Sequence, residues 1–166
     1  LTSQGKILKD IINELRNMIY NLRPMSFDDI GFNITVERAL DKLRNSNNIR
    51  CNFKTSGDEY MVDSLVSLTL LRVIQEACSN SIKHGHAKEI NVSLKYEPKS
   101  LTLTIKDDGD GFDTSAIPEF TRDDNSGFGL SMMKERIYLL SGKISISSRP
   151  GDGCIVKVII PVNKED

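Results

Sequence analysis

A strand pattern runs directly into a glycine-rich acidic loop in the segment Leu101-Thr102-Leu103-Thr104-Ile105-Lys106-Asp107-Asp108-Gly109-Asp110-Gly111-Phe112. Apolar and polar side chains alternate up to Asp107, which is typical of a half-buried strand. Gly109 and Gly111 let the backbone approach a ligand closely. A carboxylate at a strand end can accept a hydrogen bond from an exocyclic amine, and such a charge-assisted bond contributes about 1.5–3 kcal/mol. The segment therefore predicts a site that selects adenine over guanine, with an ordinary Gly-Asp turn as the alternative.

The acidic residues of this loop also fit the start of a calcium-binding loop. A loop of that kind ends in a bidentate glutamate. The position where this glutamate is expected holds Pro118. A calcium-binding regulator is therefore kept only as a distant alternative.

A long helix pattern, about Val62–His84, precedes the hairpin that contains this strand. At about 100° per residue, Glu76, Asn80 and Lys83 share one side of the helix. Glu76 could orient or deprotonate a nucleophile, the amide oxygen of Asn80 suits Mg²⁺, and Lys83 and His84 could contact phosphate oxygens. The alternative is an ordinary solvated helix face. The opposite side, where we expect the sheet to pack, carries Leu70, Ile74, Ala77 and Ser81.

Two further glycine motifs follow the acidic loop. Ser126-Gly127-Phe128-Gly129-Leu130 opens a helix, and glycines ahead of free helix N–H groups can form an anion site. Gly151-Asp152-Gly153-Cys154 lies in a hairpin. Each motif has a simple alternative, a glycine-rich helix start for the first and a tight turn for the second.

Hydrophobic periodicity orders the elements as helix, helix, strand, long helix, two strands, helix and two strands. The first helix covers residues 1–23 and is amphipathic, and the second lies near Asn33–Asn45. Because helices and strands do not alternate strictly, a doubly wound parallel sheet is disfavoured. We expect an α+β fold, a two-layer sandwich in which helices cover one face of a mixed, mostly antiparallel sheet, plus an N-terminal helix.

Length and composition describe one soluble globular domain with a small additional element. The 166 residues are 39% hydrophobic and 27% charged. With 22 basic and 23 acidic side chains, the chain lacks the basic surplus of a nucleic-acid binder. No apolar run approaches the about 20 residues of a membrane helix. The pattern begins in mid-helix at Leu1, so we interpret the sequence as a fragment of a longer protein. The cysteines are widely spaced, which favours small buried side chains in a reducing compartment: Cys51, Cys78 and Cys154.

Four motifs occur in this order along the chain: the polar helix stripe, the DxGxG loop, the GxG at a helix start and the GxG hairpin. Together they resemble one known ATP-binding fold. Histidine kinases, type II topoisomerases, a heat-shock chaperone and mismatch-repair ATPases share this fold. Its four motifs are called the N box, G1, G2 and G3, and the resemblance covers about residues 60–162. It implies ATP and Mg²⁺ as cofactors.

The flanking sequence is similar to one class of sensor histidine kinases, which signals to response regulators with helix-turn-helix outputs. The similarity rests on Leu22-Arg23-Pro24-Met25-Ser26-Phe27-Asp28-Asp29-Ile30-Gly31 and on Gly129–Arg136. It implies that residues 1–30 are the second helix of a dimerisation domain with its linker, and that residues 31–166 are the ATP-binding catalytic domain. It also implies a homodimeric, cytoplasmic or membrane-anchored parent protein and a cognate response regulator, with no nucleic-acid partner and no membrane contact from this fragment.

The resemblance assigns a role to each motif residue. Asp107 matches the adenine-reading aspartate, Asn80 the magnesium-binding asparagine, and Glu76 the acid of the N box, which is a general base in the water-using ATPases. Further nucleotide contacts are implied for the remaining motif positions, which are Lys83, His84, Gly109, Gly111, Gly127, Gly129, Leu130, Gly151, Gly153 and Cys154.

The sequence departs from the family pattern in two places. G3 usually ends in threonine, whereas here it ends in Cys154, which is expected to weaken a water-mediated contact near adenine. The class's phosphoacceptor motif is absent, because His84 and His86 are the only histidines and both lie beside the N box. We therefore expect this chain to bind ATP and Mg²⁺ and to transfer phosphate only to a histidine outside the fragment.

Two other functions remain open at this stage. One is a serine kinase of the same fold that inhibits a sigma factor, although the amphipathic first helix speaks against it. The other is a non-catalytic interaction module that dimerises through the first helix and binds no nucleotide.

Overall fold

The computed structural model describes residues 30–116 and 128–162. The predicted helix over residues 1–23 lies outside this part of the chain. The described residues form, in chain order, helix α1 (Phe32–Asn47), strand β1 (Arg50–Ser56), helix α2 (Ser64–Lys83), strands β2 (Glu89–Glu97) and β3 (Ser100–Asp107), a 3₁₀ turn (Thr114–Ala116), helix α3 (Phe128–Leu139), and strands β4 (Lys143–Ser148) and β5 (Cys154–Pro161).

The five strands form one sheet in the order β1-β2-β3-β5-β4. Strands β1 and β2 are parallel, and every other pair is antiparallel. Both predicted hairpins, β2–β3 and β4–β5, are present. The parallel pair needs a long crossover connection, which α2 supplies. The predicted α+β fold with a mixed, mostly antiparallel sheet is therefore confirmed.

The two faces of the sheet have different surroundings. Inward positions of β2, β3 and β5 are buried, whereas the outward positions are exposed or half-buried. The helices cover the buried face, and α2 contributes Leu70, Ile74 and Ala77 to the core. The pleat turns every second side chain inward, so the inward series that begins at Leu101 ends at Asp107. The strand register itself directs a carboxylate toward the helices.

Helix α2 begins at a well-defined cap. The carboxylate of Asp63 accepts hydrogen bonds from the backbone N–H groups of Leu65 at 2.8 Å and Val66 at 3.3 Å. These N–H groups have no partner within the helix, so a capping side chain stabilises the first turn. The cap fixes the start of the helix that carries the N box more than three turns further along.

The Asp63→Ala variant is expected to lower the free energy of unfolding by about 1 kcal/mol, because it removes this cap. Urea denaturation monitored by circular dichroism measures the change. Ser64→Ala, at the neighbouring exposed position, is the matched control, and equal stability of the two variants would contradict a capping role for Asp63.

The three cysteines are free thiols. Cys51 and Cys78 are buried, and Cys154 is half-buried. Burial, followed by the charges of nearby groups, raises the pKa of Cys78 to about 12. This thiol stays protonated and packs as a small apolar side chain. In the same described part of the chain, no helix is long and apolar enough to span a membrane.

Candidate nucleotide-binding site

The carboxylate of Asp107 is the centre of the candidate site and is only 6% exposed. Oδ1 accepts hydrogen bonds from the backbone N–H groups of Gly109 at 2.8 Å and Cys154 at 3.2 Å. Oδ2 accepts a hydrogen bond from the hydroxyl of Ser81 at 2.6 Å. A carboxylate offers about four acceptor positions. The chain itself fills three of them, which leaves one on Oδ2 for a ligand donor.

Glycines surround this carboxylate because no larger residue fits. A Cβ at position 109 would lie 2.5 Å from the carbonyl oxygen of Gly85, and one at 153 would overlap the backbone oxygen of Asp107. Gly153 also has φ +69°, a conformation that residues with a Cβ rarely adopt. The G1 and G3 glycines therefore bring three backbone segments into direct contact around one acidic side chain.

Backbone hydrogen bonds join the G1 loop to its neighbours on both sides. The N–H of Asp110 donates to the carbonyl of Gly85 at 2.7 Å, and the N–H of Gly151 donates to the carbonyl of Asp110 at 2.6 Å. The hydroxyl of Ser148 donates to the carbonyl of Gly153 at 2.6 Å and accepts from the N–H of Phe112 at 2.9 Å. The end of α2, the G1 loop and the G3 hairpin are thus one connected unit.

The acidic residues of G1 have separate partners. Asp107 bonds to α2, whereas the carboxylate of Asp108 accepts the backbone N–H groups of Lys88 and Glu89, each at 2.8 Å. These bonds, the one from Glu89 first, lower the pKa of Asp108. Asp110 pairs with the imidazole of His86 at 2.7 Å. Because the three carboxylates do not converge on one point, the calcium-loop alternative has no structural support.

The polar stripe of α2 faces the start of α3. Glu76 and Asn80 are half-buried, and the side-chain amide of Asn80 donates to Oε1 of Glu76 at 3.4 Å. Gly129, at the start of α3, is so close to Glu76 that a Cβ there would overlap Oε1. G2 and the N box are therefore in contact.

The remaining predicted positions differ in exposure. Lys83 and His84 are exposed at the end of α2, and Gly151 is exposed at the tip of the β4–β5 hairpin. Leu130 is half-buried in the first turn of α3. Gly127 and most of the loop between the 3₁₀ turn and α3 lie outside the described residues.

Cys154 takes part in the site through its backbone rather than its thiol. Its N–H is one of the two donors to Oδ1 of Asp107. Burial, and then the charge of Asp107, raises the pKa of the thiol to about 11. The side chain therefore remains a neutral thiol, and the bond to Asp107 does not depend on which side chain stands at this position.

Two residues of the site were not predicted as site residues. Ser81 was assigned to the packing side of α2, and Ser148 was not singled out. Both are buried, and their hydroxyl groups donate hydrogen bonds to Asp107 and to the carbonyl of Gly153, respectively. A buried serine at a position that should be apolar was the available signal for Ser81.

A shallow groove of about 370 Å³ lies behind this site, on the outer side of the sheet. Because the carboxylate of Asp107 is bonded to Ser81 on α2, its acceptor side is turned away from this groove. The unoccupied acceptor position of Asp107 therefore lies on the helix side of the sheet. The groove is lined by Glu89, Asn91, Lys106, Asp107, Asp108, Gly151 and Asp152.

Comparison with protein families identifies the domain. The family model described as "Histidine kinase-, DNA gyrase B-, and HSP90-like ATPase" matches residues 66–164. The chain belongs to this ATPase family. The match begins inside α2 and ends just after β5, so it contains all four motifs of the ATPase domain.

Two curated relatives are each 33% identical to this chain. One is the signal transduction histidine-protein kinase/phosphatase DegS of Brevibacillus brevis, aligned over 161 residues, which are 97% of this chain and 40% of DegS. The other is an uncharacterized sensor-like histidine kinase of Chloroflexus aurantiacus, aligned over 165 residues, which are 98% of this chain and 28% of that protein. The chain therefore spans less than half of the length of either relative.

Solved structures show the same fold. The histidine kinase AdeS of Acinetobacter baumannii superposes with a TM-score of 0.64 at 19% identity, over 96% of this chain and 84% of AdeS. The catalytic domain of the histidine kinase ThkA, in a nucleotide-free form, superposes with a TM-score of 0.61 at 18% identity. The superposition covers 78% of this chain and 89% of that domain. At these identities the likeness concerns the fold, and it confirms the α+β architecture of the ATPase domain.

Proposed function

We propose that this chain is the ATP-binding catalytic part of a two-component sensor histidine kinase. In the proposed reaction, the γ-phosphoryl group of ATP is transferred to a histidine outside the sequence. From there it is relayed to an aspartate of a cognate response regulator. The observation that carries the proposal is the buried carboxylate of Asp107, which has one acceptor position left on the helix side of the sheet. Family membership and relatives bearing histidine kinase names support it.

Asp107 would bind the exocyclic amine of adenine through Oδ2. The glycines of G1 and G3 let the neighbouring backbone pack directly against Asp107, since a Cβ at Gly109 or Gly153 would collide with that backbone. Guanine carries an oxygen where adenine carries this amine, so it would place an acceptor against an acceptor. The site is therefore proposed to select adenine nucleotides.

The phosphate end is proposed to lie along the polar stripe of α2. Glu76 and Asn80 are four residues apart, about 6 Å along the helix axis, and they turn their polar groups to the same side, where Asn80 contacts Glu76. Since the amide nitrogen of Asn80 bonds to Glu76, its carbonyl oxygen is directed elsewhere and fits a hard cation. Lys83, His84 and the glycines at the start of α3 would contact phosphate oxygens.

Bound Mg²⁺ would neutralise charge that develops on the phosphates during transfer. Asn80 would hold this ion together with the phosphates and water. Glu76 would orient the incoming imidazole or accept its proton. Phosphoryl transfer needs mainly positioning, so this chain's task is to fix the nucleotide by its base and to direct the γ-phosphate outward.

The wider setting is part of the same proposal. Residues 1–30 would be the second dimerisation helix with its linker, residues 31–166 the catalytic domain, and the parent a homodimer whose catalytic part is cytoplasmic. Within this sequence His84 and His86 are the only histidines. His86 is paired with Asp110. The two histidines lie at the end of α2 that would carry the nucleotide. The acceptor is therefore placed in another segment of the parent protein.

Calorimetric titration of this chain with ADP and with a non-hydrolysable ATP analogue, each with and without Mg²⁺, tests the proposal. We expect saturable binding that Mg²⁺ strengthens for the ATP analogue, with no binding of the matching guanine nucleotides. A folded sample that binds none of these nucleotides would instead indicate the interaction module. In the parent protein, an acid-labile label after incubation with ATP indicates phosphohistidine, whereas an acid-stable label would indicate the serine kinase.

A further inference from the structure

We infer that Ser81 is the positioning residue that holds the Asp107 carboxylate in the orientation that reads the adenine amine. The inference rests on the proposed adenine role of Asp107 and goes beyond it, because Ser81 belongs to none of the motif positions discussed above. Ser81 lies on the inner side of α2, is 4% exposed, and is 26 residues from Asp107 in the chain.

The single proton of the Ser81 hydroxyl has two possible acceptors. The carbonyl oxygen of Ala77 lies at 2.9 Å, and Oδ2 of Asp107 lies at 2.6 Å. Hydrogen bonds to an ionised acceptor are shorter and roughly twice as strong as neutral ones. The carbonyl of Ala77 is also within the hydrogen-bond ladder of α2. The proton therefore goes to the carboxylate.

This bond completes the fixation of the carboxylate plane. The N–H groups of Gly109 and Cys154 both bind Oδ1, so they hold only one of the two oxygens. Rotation about the bond between the carboxyl carbon and Cβ moves both oxygens, so the bond to Oδ2 adds a third restraint to the two on Oδ1. The Ser81 hydroxyl also occupies one acceptor position of Oδ2. The other position of Oδ2 then has a defined direction, which the ligand amine uses.

The opposite interpretation is that Ser81 is a helix serine bonded back to the carbonyl four residues earlier, a common local arrangement. In that case removal of the hydroxyl would affect stability but not recognition of the amine. The two interpretations differ in one measurable quantity. This quantity is the ratio of the affinity for ADP to the affinity for the diphosphate of purine riboside, which lacks the 6-amino group.

The test measures both ligands by calorimetry on the wild-type chain and on Ser81→Ala, Ser81→Thr and Ser67→Ala. Ser67 is the matched control because it is a fully buried serine on the same helix. For Ser81→Ala we expect about a tenfold loss of ADP affinity, as for a lost bond to a charged group. Affinity for the purine riboside diphosphate should change little, so the ratio of ADP affinity to purine riboside diphosphate affinity should fall about tenfold. Ser81→Thr keeps the hydroxyl and should restore the ratio, and Ser67→Ala should leave it unchanged.

Each outcome separates this inference from the proposed function. If the wild-type chain binds neither ligand, the proposed function fails. If it prefers ADP and Ser81→Ala keeps the same preference, the positioning role of Ser81 is wrong while the adenine site stands. If Ser81→Ala weakens both ligands equally, Ser81 has a structural role only. Thermal unfolding of each variant shows whether it is folded. Should Ser81→Ala unfold, Ser81→Cys decides the question by the same ratio, because a thiol has a similar size but is only a weak donor.

Discussion

The Asp107→Asn variant is expected to lose about 100-fold or more in affinity for ADP while it keeps its fold. Oδ1 of Asp107 faces the backbone N–H groups of Gly109 and Cys154, so an asparagine must keep its oxygen there. Its NH₂ group then occupies the place of Oδ2. The Ser81 hydroxyl can accept from this group by turning its own proton to the carbonyl of Ala77, at 2.9 Å.

The fold therefore tolerates the exchange, but adenine recognition does not. The amine of the ligand would meet an N–H donor in place of the acceptor that it needs, so an attraction becomes a repulsion. Calorimetric titration with ADP measures the loss, and the melting temperature shows that the variant is folded. Asp152→Asn, at an exposed position of the adjacent hairpin, removes the same charge without touching the site. Unchanged ADP affinity in Asp107→Asn would rule out adenine recognition by Asp107.

The Asn80→Ala variant should remove the effect of Mg²⁺ on nucleotide binding. We expect the affinity for an ATP analogue in the presence of Mg²⁺ to fall at least about tenfold, whereas the affinity without Mg²⁺ should stay close to that of the wild type. The reason is that, within the described part of the chain, the side chain of Asn80 forms a single long hydrogen bond, to Glu76 at 3.4 Å. Alanine also favours the helix more than asparagine does, so stability should not fall.

The comparison of affinities with and without Mg²⁺ distinguishes a metal ligand from a general binding residue. Equal losses in both conditions would show that Asn80 contacts the nucleotide directly or supports the fold. Asn91→Ala is a suitable control, because Asn91 is exposed on β2 and its side chain bonds only to neighbours on the outer face of the sheet.

Local patterns in the sequence were sufficient to predict most of this architecture. Alternation along β3 predicted the strand and its end at Asp107. The periodicity of α2 separated Glu76 and Asn80 from the buried side that includes Leu70. These features depend on one element at a time, so the sequence of that element contains the information.

Features that depend on contacts between distant elements were not accessible in the same way. Ser81 was predicted to pack against the sheet, and it does, but its hydrogen bond to Asp107 depends on how α2 crosses the end of β3. The parallel pairing of β1 with β2 has no local signal, because both strands show the same alternation as antiparallel ones. The contact of Gly129 with Glu76 likewise requires the tertiary position of α3. The site residues were therefore recognised by family resemblance before geometry could connect them.

The donors that hold Asp107 also determine how the free energy of nucleotide binding is divided. Two of them are backbone N–H groups, of Gly109 and Cys154, and the third is a hydroxyl on a core helix. All three belong to the domain itself, so in the proposed site the base would meet a carboxylate that is already held in place. Binding at the adenine end then carries little loss of conformational entropy. Nucleotides that share this base should consequently share a common, largely enthalpic contribution, and differences among them should arise at the phosphates.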